Sequence, residues 1–178
     1  MNDTISYPWY KLVAVDESLA QGDIIRNCQV LVPVNSEAVE KETIAGEVLE
    51  YDVIVMSQSC DLENKKIDLV LVCPIYSLDE LSAKQTELAE NKGKNQLRKG
   101  MWVHYHLLNR CNFGGFEDRY IVVDFKNVYG VPFDFLADLI KRRIDRVRLL
   151  PPYREHLSQS FARFFMRVGL PIDIPEFK

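Results

Sequence analysis

The chain has 178 residues, a formal net charge of −4, a hydrophobic share of 47% and a charged share of 27%. These values are typical of one globular domain and exclude a disordered or low-complexity chain. The uninterrupted apolar runs are a few residues long, well short of the roughly 20 that cross a bilayer. We therefore expect no membrane partner.

The N-terminal residues 1–8 have neither the basic start nor the apolar stretch of a secretory signal. The four cysteines contain no Cys-x-x-Cys pair, which favours reduced thiols over disulfides; they are Cys28, Cys60, Cys73 and Cys111. Both observations predict a cytoplasmic protein.

Short apolar runs bounded by turn residues predict strands in the first half of the chain. Gly22-Asp23 marks a turn before Ile24-Ile25, and residues 30–34 form a strand that stops near Pro33. Residues 53–56 and 69–75 are rich in β-branched side chains and predict two buried strands. Residues 37–50 fit either a loop or one arm of a hairpin.

The second half contains one helix pattern, a β-hairpin and then two further helix patterns. Ser77 and Glu80 have the spacing of a capping box, which predicts a helix over about 78–90, followed by a polar linker over 91–95. Strict alternation predicts a strand over 101–108, and a loop over 109–118 leads to its hairpin partner over 120–125. Pro132 begins a further helix, and the last helix spans roughly 154–168, ending at Gly169.

Strands that precede helices, without βαβ alternation, predict an α+β protein. We expect a small antiparallel β-barrel or curled sheet with a middle helix and a C-terminal helical cap. Residues 1–130 would form the β-rich core with the inserted helix, and residues 131–178 would form a basic helical cap of the same domain.

Two parts of the chain resemble known groups of proteins. Gly22-Asp23-Ile24, Val30-Leu31-Val32-Pro33 and the segments 53–64 and 69–77 follow in an order that resembles the PemK/MazF-like toxin ribonucleases, which implies a compact barrel over residues 22–77. That family carries an arginine-bearing loop before its valine-rich strand, whereas residues 35–51 contain no arginine, so the ribonuclease activity is not carried over. The segments 153–159 and 167–171 resemble uncharacterised bacterial proteins, which implies no function.

A dense group of polar side chains follows the strand at 53–56, a place where binding and catalytic residues often lie. Its members are the ligand-binding candidates Ser57, Gln58, Ser59, Cys60 and Asp61. Three interpretations stay open: a structural turn with Cys60 packed inward, a binding site, and a nucleophilic thiol. A carboxylate next to a thiol disfavours the thiolate, which argues against the third.

His104 and His106 are further ligand-binding candidates, because alternate positions of one strand share a face. Two imidazoles on one face can bind a metal, but no spacing supplies the remaining ligands of a zinc site. We therefore predict no metal and no cofactor. Two histidines on a solvated strand face are the alternative to a metal site.

Residues 141–167 contain eight basic and two acidic residues, a local charge of +6, so the rest of the chain carries −10. The candidates for binding a phosphate or a partner are Arg142, Arg143, Arg146, Arg154, Arg163 and Arg167. The alternative is that the arginines pair with the acidic body or with a protein partner, which the sequence pI near 5.4 favours.

Glycine-rich phosphate loops, His-Glu-x-x-His, Gly-x-Ser-x-Gly and Rossmann fingerprints are all absent from the sequence. The leading hypothesis is a bacterial cytoplasmic interaction or regulatory module of a toxin–antitoxin or defence type, which is not an enzyme and binds a protein partner. The rival hypothesis is a nucleic-acid-binding protein or ribonuclease-like enzyme that uses His104 or His106 with an arginine on a phosphate ester. The sequence leaves the oligomeric state open.

Overall fold

The computed structural model describes residues 7–34, 46–142 and 145–166. Within these ranges eight strands pair, every pair antiparallel; they are β1 Tyr10–Ala14, β2 Asp23–Pro33, β3 Gly46–Val55, β4 Leu69–Ser77, β5 Tyr105–Cys111, β6 Arg119–Asp124, β7 Tyr129–Pro132 and β8 Asp145–Leu149. Six helices lie between and after them; they are α1 Ser59–Glu63, α2 Leu78–Lys84, α3 Thr86–Ala89, α4 Asn91–Arg98, α5 Phe133–Lys141 and α6 Tyr153–Phe165. The predicted α+β class is confirmed.

The strands follow the order β1-β8-β2-β3-β4-β6-β5, and β7 pairs with β4 outside this path. β6 and β7 pair with successive halves of β4, and the residues between them leave the ladder. Asp124 stabilises the turn between β6 and β7, because its carboxylate accepts hydrogen bonds from Lys126 N (2.9 Å) and Asn127 Nδ2 (2.8 Å). The sheet bends at such irregularities.

The described sheet is not closed into a barrel. β2 pairs with β8 only at Asp23 and Ile24, so the segment Cys28–Pro33 pairs with β3 alone. β7 likewise pairs with β4 alone. Within the described residues the outer edges of Cys28–Pro33 and of β7 therefore remain open, in addition to those of the terminal strands β1 and β5.

Three hydrophobic clusters fill the interior. α6 covers the first, where Leu157 packs with Phe125 and Val147. α5 covers the second on the other side of the sheet, where Leu136 meets Val72. The third lies under α2 to α4, and each cluster contains the apolar face of an amphipathic helix.

Several predicted boundaries need correction. The predicted linker at 91–95 is the start of α4, and the predicted strand at 101–108 begins only at Tyr105. β8 lies within the predicted helical cap and joins the sheet, so that segment is not wholly helical. The last residues of the predicted final helix, 167–168, and Gly169 fall outside the described ranges. No helix of the described residues is both long and apolar enough to cross a membrane.

Candidate functional site

The serine hydroxyl groups of the polar turn after β3 accept hydrogen bonds from backbone amides. Ser57 Oγ accepts a hydrogen bond from Leu71 N (2.9 Å), and Ser59 Oγ accepts one from Gln21 N (3.1 Å). Gln21 in turn donates its Nε2 to Met56 O at 2.8 Å. These bonds tie the turn to β4 and to the segment before β2, which agrees with the structural alternative for Ser57 and Ser59.

Cys60 is exposed, so the prediction that it packs inward is wrong. The chain enters α1 at Ser59, and the helical repeat buries Leu62 and leaves Gln58 and Cys60 outside. Cys60 Sγ lies 3.8 Å from the Asp61 carboxylate, a neighbour that repels a thiolate. The contacts at this thiol therefore do not favour a nucleophile.

The two candidate histidines lie beside different aromatic rings. His104 precedes β5 and lies 4.4 Å, centroid to centroid, from the ring of Tyr105, whereas His106 lies 6.2 Å from the ring of Phe125. Burial, with a smaller contribution from His156, lowers the pKa of His106 to about 4. Among the described residues no three His, Cys, Asp or Glu side chains gather around a metal-sized site.

The candidate Arg146 does not lie on a ligand surface, because its guanidinium is buried; it follows the alternative, pairing with an acidic residue of the body. Its Nε donates to Asp23 Oδ2 at 2.8 Å, and its Nη groups donate to three backbone carbonyls. Arg148 Nη2 also donates to Asp23 Oδ2, at 3.0 Å. The carboxylate and the two guanidiniums form an internal support for the sheet.

The other candidate arginines do not gather around this support. Arg154 pairs with Glu155 at 2.7 Å on the surface of α6. Arg142 and Arg163 are exposed, and no carboxylate in the described ranges lies within ion-pair distance of either. Arg143 and Arg167 lie outside the described residues.

Asp61, His104 and His106 line none of five cavities on the described surface. The rival enzyme hypothesis needs these groups and an arginine in one cleft. None of these five cavities brings them together among the described residues. Two other cavities of ligand size offer better candidates, and we name them the edge groove and the basic groove.

The edge groove has a volume of about 630 Å³ and a mostly apolar wall; it is lined by Gln29, Val30, Leu31, Val48, Leu69, Val128, Tyr129, Gly130, Val131, Pro132 and Phe135. Its walls come from the open segments of β2 and β7, which are not paired with each other. Leu31, Val48 and Leu69 are 71%, 59% and 56% exposed. Such a concentration of exposed apolar side chains is typical of an interaction site.

Sequence reasoning missed this groove because continuous apolar runs predicted strands buried on both faces. In β4 only alternate residues are buried near its start, and Leu69 and Leu71 face outward. Leu31 and Val48 show the same pattern, because they are paired apolar residues on the exposed face of β2 and β3. Apolar side chains on the face that does not contribute to the core are the sequence pattern that indicates this groove.

The basic groove has a volume of about 530 Å³; it is lined by Trp9, Leu78, Asn91, Lys94, Asn95, Arg98, Leu107, Leu108, Asn109 and Tyr120. Its polar wall is α4, the segment that the sequence predicted as a linker. The amphipathic spacing of α4 was the pattern that could have identified it.

Comparison with protein-family models, with curated proteins and with solved structures found no match for this chain.

Proposed function

We propose that this protein is an interaction module that binds an extended segment of a partner protein in the edge groove. The observation that carries the proposal is the presence of two open strand edges on the walls of one exposed apolar groove. An extended peptide can add to such an edge as a further strand, with its main chain bound by the sheet and alternate side chains bound by the groove.

The backbone supports this mode of binding. Along an open strand edge, alternate N–H and C=O groups have no partner strand, and proteins usually protect such edges with charges, prolines or covering elements. Here β2 ends in Pro33 and β7 ends in Pro132, which limits each open edge to a few residues. A short segment of four to six residues would match this length.

The groove also constrains the chemistry of the partner. Glu47, Asp68 and Asp134 are exposed and adjacent in sequence to wall residues, and no lysine or arginine occupies such a position. Opposite charge favours a partner segment whose apolar positions alternate and whose ends are basic. We further propose that the module acts in the bacterial cytoplasm as a regulatory component, a reading supported by the sequence resemblances and the cysteine pattern.

We do not propose a ribonuclease-like reaction, because none of the cavities described above brings Asp61 or a histidine together with a described arginine. Arg146 and Arg148 are committed to Asp23, and His106 is packed against Phe125. A phosphate ester in either groove would meet none of the predicted acid–base groups.

Selection from a random twelve-residue peptide library provides the test. We expect enriched peptides with alternating apolar residues and basic ends, and saturable binding of the synthetic peptides by fluorescence anisotropy. Methylating alternate backbone amides of such a peptide should abolish binding, because the methyl groups remove the donors that pair with the sheet.

Leu31→Lys and Leu69→Lys should each weaken peptide binding at least tenfold. Leu12→Lys is the matched control, since Leu12 is 46% exposed on β1, away from the groove, and its change should leave the affinity unaltered. Equal affinities of wild type, Leu31→Lys and Leu69→Lys, or full binding of the methylated peptide, would refute the proposal.

A further inference from the structure

The basic groove has one wall built from a single face of α4. Asn91, Lys94, Asn95 and Arg98 follow the i, i+3, i+4, i+7 spacing that places side chains on one side of a helix. The opposite side is fixed in the protein by Leu97, which is buried, and by Gly93, where a Cβ would overlap the carbonyl oxygen of Glu87. The orientation of the polar face is therefore set by packing.

Two cations of this wall are not neutralised. No carboxylate in the described ranges lies within 4 Å of Lys94 Nζ or of the Arg98 guanidinium, and no acidic side chain lines the groove. Arg110 on β5 differs, because it pairs with Asp118 at 3.2 Å. Unpaired cations around a concave surface attract an anion.

The facing walls are aromatic and apolar. Trp9 is held by stacking on Tyr153, with ring centroids 3.5 Å apart and planes 9° apart, and Tyr120 lies under the Arg110 guanidinium at 4.8 Å. Both rings line the groove together with Leu107. Rigid aromatic rings offer stacking surfaces for a planar ring, and amides such as Asn91 and Asn95 match hydrogen-bonding edges.

We propose that the basic groove binds a nucleoside phosphate unit, with Lys94 and Arg98 on the phosphate and Trp9 and Tyr120 beside the base. The volume of about 530 Å³ is in the range of pockets for small ligands. The cationic wall matches the phosphate charge, and the aromatic wall matches the base. The unit can come from a free nucleotide or from single-stranded RNA, which share this chemistry.

This site is independent of the edge groove, because the two share no wall residue. Binding at this site would also differ from the non-specific electrostatic binding of nucleic acid. The chain carries a net charge of −4 and repels polyanions on average, so binding has to depend on these particular cations.

The experiment is isothermal titration calorimetry of the intact chain at 50 mM salt. The probes are the four ribonucleoside 5′-monophosphates, ribose 5-phosphate, and a single-stranded ten-residue adenylate RNA. We expect at least one nucleoside monophosphate or the RNA to bind saturably, and ribose 5-phosphate to bind at least tenfold more weakly. Binding of the monophosphates identifies free nucleotide as the source, and binding of the RNA alone identifies the single strand.

The double variant Lys94→Gln with Arg98→Gln should lower the affinity at least tenfold and reduce its salt dependence. The matched control is Lys92→Gln with Lys99→Gln, which removes the same charge from exposed positions of the same helical segment outside the groove. The proposal fails if no probe binds, if ribose 5-phosphate binds as tightly as the nucleotides, or if both double variants weaken binding equally.

Discussion

The carboxylate of Asp23 and the guanidinium of Arg146, 123 residues apart in sequence, form a buried ion pair with Nε–Oδ2 of 2.8 Å. Asp23 is 0% exposed and also accepts from Arg148 on the same strand as Arg146. The Arg146 Nη groups bind the carbonyl oxygens of Ala14, Glu17 and Ser18 at 2.6 to 3.2 Å. One cluster therefore joins β2, β8 and the connection from β1.

Replacing Asp23 by alanine should destabilise the protein by about 3–5 kcal/mol, because the buried Arg146 guanidinium would lose its carboxylate and the partly exposed Arg148 would keep only Glu17. Urea denaturation followed by circular dichroism measures this loss. Glu155→Ala is the control, since it breaks an exposed pair with Arg154 and should cost less than about 1 kcal/mol. A loss under 1 kcal/mol for Asp23→Ala would show that the cluster does not support the sheet.

Substitution by alanine should lower the free energy of unfolding much more at Leu157 than at Phe165, although both are apolar residues of α6. Leu157 is 0% exposed in the first hydrophobic cluster, and its truncation should cost about 2–5 kcal/mol. Phe165 is 59% exposed, and its truncation should cost less than about 1 kcal/mol. The midpoints of chemical denaturation compare the two variants, and equal midpoints would mean that α6 does not anchor the core.

Features that depend on neighbours in sequence could be predicted. Ser77 and Glu80 make both hydrogen bonds of the capping box, and the paired glycines Gly114 and Gly115, with φ of 59° and 81°, form the loop of the β5–β6 hairpin. Each rule needs only residues within a few positions, so no knowledge of the tertiary structure was required.

Features that depend on distant partners could not be predicted in the same way. Arg146 and Arg148 alternate with Val147 and Leu149, as in a strand, but the local positive charge indicated a basic surface. Asp23 is too distant in sequence for a local pattern to predict its pairing with Arg146. Cys60 would pack inward only if the two-residue period of β3 continued to it, whereas the chain has already changed to the period of a helix at Ser59.

Thiol labelling should distinguish Cys60 from the other cysteines. Cys60 is exposed, whereas Cys28, Cys73 and Cys111 are buried, and burial raises the pKa of Cys73 to about 12. We expect one rapidly labelled thiol per native chain with an aromatic disulfide reagent, four after unfolding, and none rapidly labelled in native Cys60→Ser. A second fast thiol in the native state would contradict the described packing.

His106 should make stability depend on pH in the mildly acidic range. Its pKa is about 4 in the folded protein because burial disfavours the charged ring, and about 6.5 in the unfolded chain. Between these values the unfolded chain binds the proton more tightly, so stability is complete above about pH 7 and falls as the pH falls through 6.5 toward 4. The expected loss from this residue is about 1 kcal/mol between pH 7.5 and 5.5.

Urea denaturation at several pH values between 7.5 and 5.5 measures this contribution, because carboxylates titrate mainly below that range. His106→Leu should remove the loss, since it keeps an apolar side chain among Phe125 and its neighbours and cannot take up a proton. If the slope of His106→Leu equals that of wild type, another group controls stability in this pH range, and His106 is not the residue that unfolding protonates.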